Sequence, residues 1–218
     1  MSYDLRVYSN ISIGSNKPDE MLEKAKKYGF KSLVFQDVNT DNIRETSNQI
    51  KQIRRIAYVA CNIKVENESL RKIREIKRKV DRVVAEPSSL SECRRVVKIG
   101  GVDSILLRID ERPIIFDSVC AKEASRRGKS VEIEISDIFG ISGRKRVTAI
   151  GTIRLELKIA RHYGIPILIG SGAKSIDELK RPLTLKYVAH RILDLPLVAV
   201  ENSMTSIARY ILGDKNKG

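Results

Sequence analysis

Four carboxylates, Asp37, Glu86, Glu134 and Glu201, each follow a short apolar run, and Asn62, Arg108 and a Gly170-Ser171-Gly172-Ala173 turn occupy comparable places. Carboxylates converging at strand ends could hold a divalent metal and activate water. A transition-metal hydrolase would add histidines, and the chain has only His162 and His190, both in helical pattern, with His162 placed to close the helix before Gly164. The same carboxylates can instead partner Arg108 or helix N-termini. The glycine turn offers amides that could face an anion, and it leads through a basic stretch to Pro182, which is placed to open a helix. One reading is therefore a free-standing barrel enzyme acting on a phosphorylated small molecule or phosphoester, with residues 170–172 holding the phosphate and Glu134 or Asp37 as acid or base. Glycine is equally required wherever a strand turns tightly into a helix. Cys61, Cys93 and Cys120 are odd in number and lack Cys-x-x-Cys spacing, so they read as reduced packing residues rather than nucleophiles.

The elements that must position these groups follow one repeated unit: a helix, a glycine able to take the left-handed cap conformation, then β-branched and aliphatic residues. It occurs at residues 27–35, 99–107, 127–135 and 162–169. Runs at 3–8, 58–65, 82–85 and 197–200 bring the candidate strands to about eight. The spacing predicts an α/β fold: a single TIM-like (β/α) barrel of parallel strands with outer helices over residues 1–212, and a flexible basic tail at 213–218. The start lacks the cationic then apolar order of a signal peptide, and no apolar run is long enough to cross a membrane, so a cytoplasmic protein without membrane contacts is expected.

The charge balance points elsewhere than small-molecule chemistry. Lys and Arg number 41 against 27 Asp and Glu, a formal net charge of +14. Ion-pair networks would balance the signs, whereas this excess suits a polyanion. Residues 69–80 predict a helix with Leu70, Ile73, Ile76 and Val80 on its inner stripe and six basic residues outside, answered mainly by Glu75. No tryptophan, only 7 Tyr and 4 Phe, and no zinc-finger or helix-turn-helix pattern are present, so no stacking platform is in view. Contact through phosphate and shape remains, as with structured RNA. Arg108, Arg112, Lys145, Lys174, Lys180 and Arg181 are the expected RNA-facing residues, because each falls near a strand end or in a glycine-flanked loop.

Tyr3-Asp-Leu5 at the start, Lys26-Lys-Tyr-Gly-Phe-Lys-Ser-Leu-Val34 after the first helix, and Gly170-Ser-Gly-Ala173 with Leu179-Lys-Arg-Pro182 late in the chain resemble the ribonuclease P protein component 3 family. The resemblance spans nearly the whole chain and departs at Leu183-Thr184, where the family pattern is more polar. That family is similar to metal-dependent phosphoesterase barrels of the polymerase and histidinol phosphatase type, without their metal-binding histidines. The resemblance implies a subunit of an endoribonuclease holoenzyme that removes the 5′ leader from precursor tRNA. It implies a chain with no catalytic residues and no bound cofactor or metal, magnesium sitting on the catalytic RNA. The implied partners are ribonuclease P RNA, another small ribonuclease P protein subunit and, within the holoenzyme, precursor tRNA.

Overall fold

A computed structural model describes residues 2–39 and 43–213; the expected tail beyond Gly213 lies outside them. In chain order the elements are β1 (Ser2–Val7), α1 (Pro18–Lys27), β2 (Phe30–Asn39), α2 (Ser47–Ile56), β3 (Tyr58–Lys64), α3 (Asn67–Arg71), α4 (Ile73–Lys79), β4 (Arg82–Glu86) and α5 (Leu90–Val96). They continue with β5 (Ser104–Leu106), α6 (Ser118–Arg126), β6 (Ser130–Glu134), α7 (Ser136–Gly140), α8 (Gly143–His162), β7 (Ile167–Gly170), α9 (Pro182–Leu193), α10 (Leu197–Met204) and α11 (Ser206–Leu212).

Local chemistry explains several boundaries. α1 opens on Pro18 with Asp19 and Glu20 in its first turn and carries Lys24, Lys26 and Lys27 in its last, matching the helix dipole at both ends. The Asp117 carboxylate caps α6 by accepting from the Cys120 N–H at 2.8 Å. The predicted helix–glycine–strand joints are all present, and Gly29 and Gly164 take φ of +92° and +66° where the chain leaves a helix for a strand. The basic helix expected over 69–80 is two short helices, α3 and α4, meeting at Lys72; Ile73, Ile76 and Val80 are buried as the inner stripe requires, and Leu70 partly so.

Among the described residues seven strands, all parallel, pair in sequence order, β1 through β7. The seam is drawn together by the residues that follow β7: Gly172 N–H donates to the Arg6 carbonyl at 2.9 Å, Tyr8 N–H donates to the Ala173 carbonyl at 2.9 Å, and Val7 bridges Ala173 in parallel. The expected strand at 197–200 is instead the first turn of α10, entered through Pro196. A short apolar run does not by itself distinguish strand from buried helix, and β1 already lies beside β7 and the turn after it, so that seven strands nearly close the barrel among the described residues.

Two apolar layers hold this barrel. Outward side chains such as Val59, Ile133 and Ile169 pack under the helices, against residues such as Met21, Ile53, Cys93, Cys120 and Leu157. All three cysteines are free and buried. Inside, Tyr3, Leu5, Val34, Tyr58, Val84, Leu106 and Leu168 form a second cluster, which Ala208 and Leu212 of α11 join. Burying one such leucine contributes about 1.5–3 kcal/mol. The apolar interior stops partway along the barrel, because β6 presents Ser130, Glu132 and Glu134 at alternate positions.

Candidate functional site

The rest of the interior is a chain of alternating charges. Arg82 Nη2 donates to Glu132 Oε1 at 2.9 Å, joined there by the Ser104 hydroxyl at 2.5 Å. Arg6 Nη1 donates to the other oxygen of Glu132 at 2.7 Å, and its Nε donates to Glu134 Oε1 at 2.7 Å. The remaining Arg6 nitrogen reaches Asn62 Oδ1 at 3.1 Å and the Tyr8 hydroxyl at 3.3 Å; that hydroxyl donates to Glu134. Arg108 Nη1 takes the outer oxygen of Glu134 at 2.5 Å, its Nε takes Glu86 at 2.8 Å, and Asp137 lies at 3.3 Å. Arg6 is fully buried, while the Arg108 side chain keeps 28% of its surface exposed where the network meets solvent.

Burial alone would push both glutamates up. The guanidinium charges override it, holding Glu134 down to about 2 through Arg6 and Arg108, and keeping Glu132 below its ordinary value through Arg82 and Arg6. Burial works against the charged form of Arg108 as well, but Glu134, Asp137 and Glu86 keep it firmly protonated. Asp137 shows the opposite balance: burial raises it to about 6 despite Arg108. Asp4 also rises to about 6 through burial, opposed by hydrogen bonds from Ser171.

This geometry redirects the chemistry expected of the strand ends. Glu86 and Glu134 are neutralised by guanidinium groups, so a cation entering between them would have to displace arginine side chains. Asp37 accepts from the Ser9 N–H at 2.7 Å and from the Ser9 and Ser12 hydroxyls, both at 2.6 Å, and so fastens the segment after β1. Glu201 is not at a strand end; it lies exposed on α10 and pairs with Lys186 at 2.8 Å. The glycine turn does not present free amides to an anion. Ser171 N–H donates to Asp4 Oδ1 at 2.8 Å, Gly172 N–H to the Arg6 carbonyl, and Ala173 N–H to the Ser171 hydroxyl at 3.1 Å. His162 closes α8, as its position before Gly164 implies, and His190 Nδ1 lies 2.8 Å from the Leu195 carbonyl.

The six expected RNA-facing residues fall into two groups. Arg108 and Arg112 are turned into the chain, Arg112 donating to the carbonyls of Pro87 and Arg108, each at 3.1 Å. The other four are exposed. Lys145 sits in the first turn of α8 rather than in a loop, and pairs with Glu111 at 2.8 Å. Lys174 and Lys180 follow β7 and have no ion pair among the described residues. Arg181 is the residue before Pro182 of α9, its guanidinium 5.6 Å from the Tyr28 ring centre. Elsewhere part of the basic excess is internally answered: Arg126 and Arg127 both pair with Glu123, and the Lys129 ammonium donates to the Ile99 and Val102 carbonyls.

Arg6, Arg82, Glu132 and Tyr8 were absent from the sequence-based candidates. The signal was present in β6, where residues 130–134 read Ser-Val-Glu-Ile-Glu: strict alternation in a strand whose outer face is covered by helices requires the polar positions to face inward. Arg6 is harder to find, because the register between β1 and β2 shifts between Asp4 and Val7 and breaks the simple alternation.

The sequence profile of the family described as RNase P subunit p30 matches residues 1–217. Ribonuclease P protein component 3 of Methanococcus maripaludis is 23% identical over 211 residues, covering 91% of this chain and 89% of the relative. Its counterpart in Methanococcoides burtonii is 24% identical over 220 residues, covering 98% and 90%. Among solved structures, a chain in a cryo-EM structure of archaeal ribonuclease P with mature tRNA has a TM-score of 0.75 at 19% identity, over 97% of this chain and 90% of that one. An amidohydrolase crystal structure gives 0.64 at 12% identity, over 99% and 75%, a likeness of fold.

Proposed function

The chain belongs to the RNase P subunit p30 family, and from that premise we propose that it serves ribonuclease P as an RNA-binding protein subunit without catalytic residues of its own. It binds and stabilises the catalytic RNA, which holds the magnesium ions and removes the 5′ leader from precursor tRNA, and it works beside another small protein subunit. The place of action is the cytoplasm; no helix among the described residues is long and apolar enough to cross a membrane. The observation that carries this reading is the family match over the whole barrel. Two features of the site support it. The barrel mouth is filled by Arg6 and Arg108 with their carboxylate partners, an arrangement that stabilises a scaffold rather than a reacting group. The glycine turn, which the rival enzyme needs as a phosphate cradle, spends its amides on Asp4, Arg6 and Ser171.

Of the six proposed RNA-facing residues, Lys145, Lys174, Lys180 and Arg181 are exposed and are the ones proposed to meet phosphate, whereas Arg108 and Arg112 are held by internal partners and add positive charge behind them. Replacing Lys180 and Arg181 together by Ala is expected to weaken binding to the catalytic RNA and to flatten the salt dependence of log K by on the order of one for each phosphate that the variant no longer neutralises. Both side chains are exposed, so stability should change by no more than about 0.5 kcal/mol. Titrations at several salt concentrations check this; an unchanged slope removes the pair from the surface.

A further inference from the structure

Phe30, Phe35 and Phe116 are buried in the core, whereas Phe139 on α7 is 58% exposed. It lines a cavity of about 470 Å³ whose other walls include Ile135, Ser136, Ala173, Lys174 and Lys180, a size typical of small-ligand pockets. Ile138, next to it, is buried and anchors α7. Across the cavity Gly172 packs so closely that a Cβ there would lie 2.0 Å from Ser136 Oγ, which fixes the start of α7 against the turn after β7. Among the described residues Glu178 is the only carboxylate lining the cavity, and it accepts from the Lys174 backbone N–H at 2.8 Å, while neither lysine side chain has an ion pair there. An exposed aromatic ring beside a small apolar floor and two unpaired ammonium groups is the arrangement by which proteins hold an unpaired nucleotide: the base stacks and the cations take the phosphates.

We infer that the cavity between α7 and the turn after β7 receives one unstacked base of an RNA strand, with Phe139 as its stacking face and Lys174 and Lys180 on the flanking phosphates. The inference rests on the RNA-binding role proposed above and adds a contact to the base itself. A protein side chain could fill the apolar floor, but it would leave both ammonium groups unanswered, and the charge therefore favours RNA.

The test uses the full chain with two probes, a hexamer of adenosine nucleotides and a hexamer of the same ribose-phosphate backbone without bases. The wild type should prefer the base-bearing strand by about 5- to 140-fold. Phe139→Ala and Phe139→Leu should abolish that preference, the second because it keeps bulk but no ring. Lys174→Ala with Lys180→Ala should weaken both strands and reduce the salt slope. The chain has no tryptophan, so Phe139→Trp adds a single indole reporter whose emission a stacked base quenches. A preference that survives Phe139→Leu, or an indole that stays unquenched with RNA bound, overturns the cavity assignment while leaving RNA binding through the lysines intact. If neither strand binds, the cavity assignment also falls, and leader cleavage decides the broader function separately. Indole emission that shifts to the blue without quenching in the assembled holoenzyme would give the cavity to the protein partner and likewise overturn the assignment.

Discussion

Arg6→Met is expected to destabilise the folded chain by about 3–5 kcal/mol, the cost of breaking a buried ion pair from one side. The loss is large because one guanidinium serves Glu132 and Glu134 together and also reaches Asn62 and Tyr8. Methionine fills comparable space but leaves two buried carboxylates facing one another with only Arg82 and Arg108 at the two ends. Denaturant unfolding at neutral pH measures the effect. Its pH dependence identifies the cause. In the wild type the stabilisation from Glu134 is fully present above its ordinary value of 4.5 and is lost as the pH falls through about 2. In the variant each glutamate loses one of the two guanidinium groups that oppose its burial, so its value in the folded chain lies higher than in the wild type and less of this stabilisation is present at neutral pH. The deficit should therefore be widest at neutral pH and narrow on acidification. A deficit independent of pH would mean that packing, not charge, is the role of Arg6.

Gly170→Ala is expected to cost about 3 kcal/mol or more, at the severe end of overpacking. A Cβ at residue 170 would stand 2.4 Å from the Arg6 Cβ and 2.5 Å from the Arg6 backbone nitrogen. Neither atom can swing aside as a side-chain tip would, so β7 must move away from β1 at the seam. That displacement would pull Arg6 from its carboxylates and weaken the Gly172 and Tyr8 hydrogen bonds that join the strands. Gly151→Ala is the internal control: residue 151 lies exposed within α8 with open space around its Cα, and alanine there should be neutral or stabilising by up to about 1 kcal/mol. Denaturant unfolding of the two variants checks this; stability retained in Gly170→Ala would contradict the close approach of β7 to Arg6.

Much of the fold is readable from residue order. The helix–glycine–strand joints and the apolar runs locate all seven strands, and the basic helix region keeps its inner stripe despite the break at Lys72. The misassigned strand at 197–200 shows the limit of local pattern: four apolar residues suit either state, and the decision belongs to the closure of the sheet between β1 and the turn after β7. The site is less legible, for two physical reasons. Charges inside a barrel meet only after every strand is in register, so Arg6 finds Glu132 and Glu134 across more than 120 residues of sequence. The exposure of an aromatic is likewise a tertiary property, and nothing near Phe139 in the sequence separates it from the three buried phenylalanines.

The most direct test of the ribozyme-subunit role is cleavage of the 5′ leader from precursor tRNA by the cognate catalytic RNA at limiting magnesium, with and without this chain and its protein partner. Cleavage restored only when the chain is present, together with no cleavage by the proteins alone, is the predicted result. Cleavage unaffected by leaving the chain out, or leader removal by the chain without RNA, would contradict it.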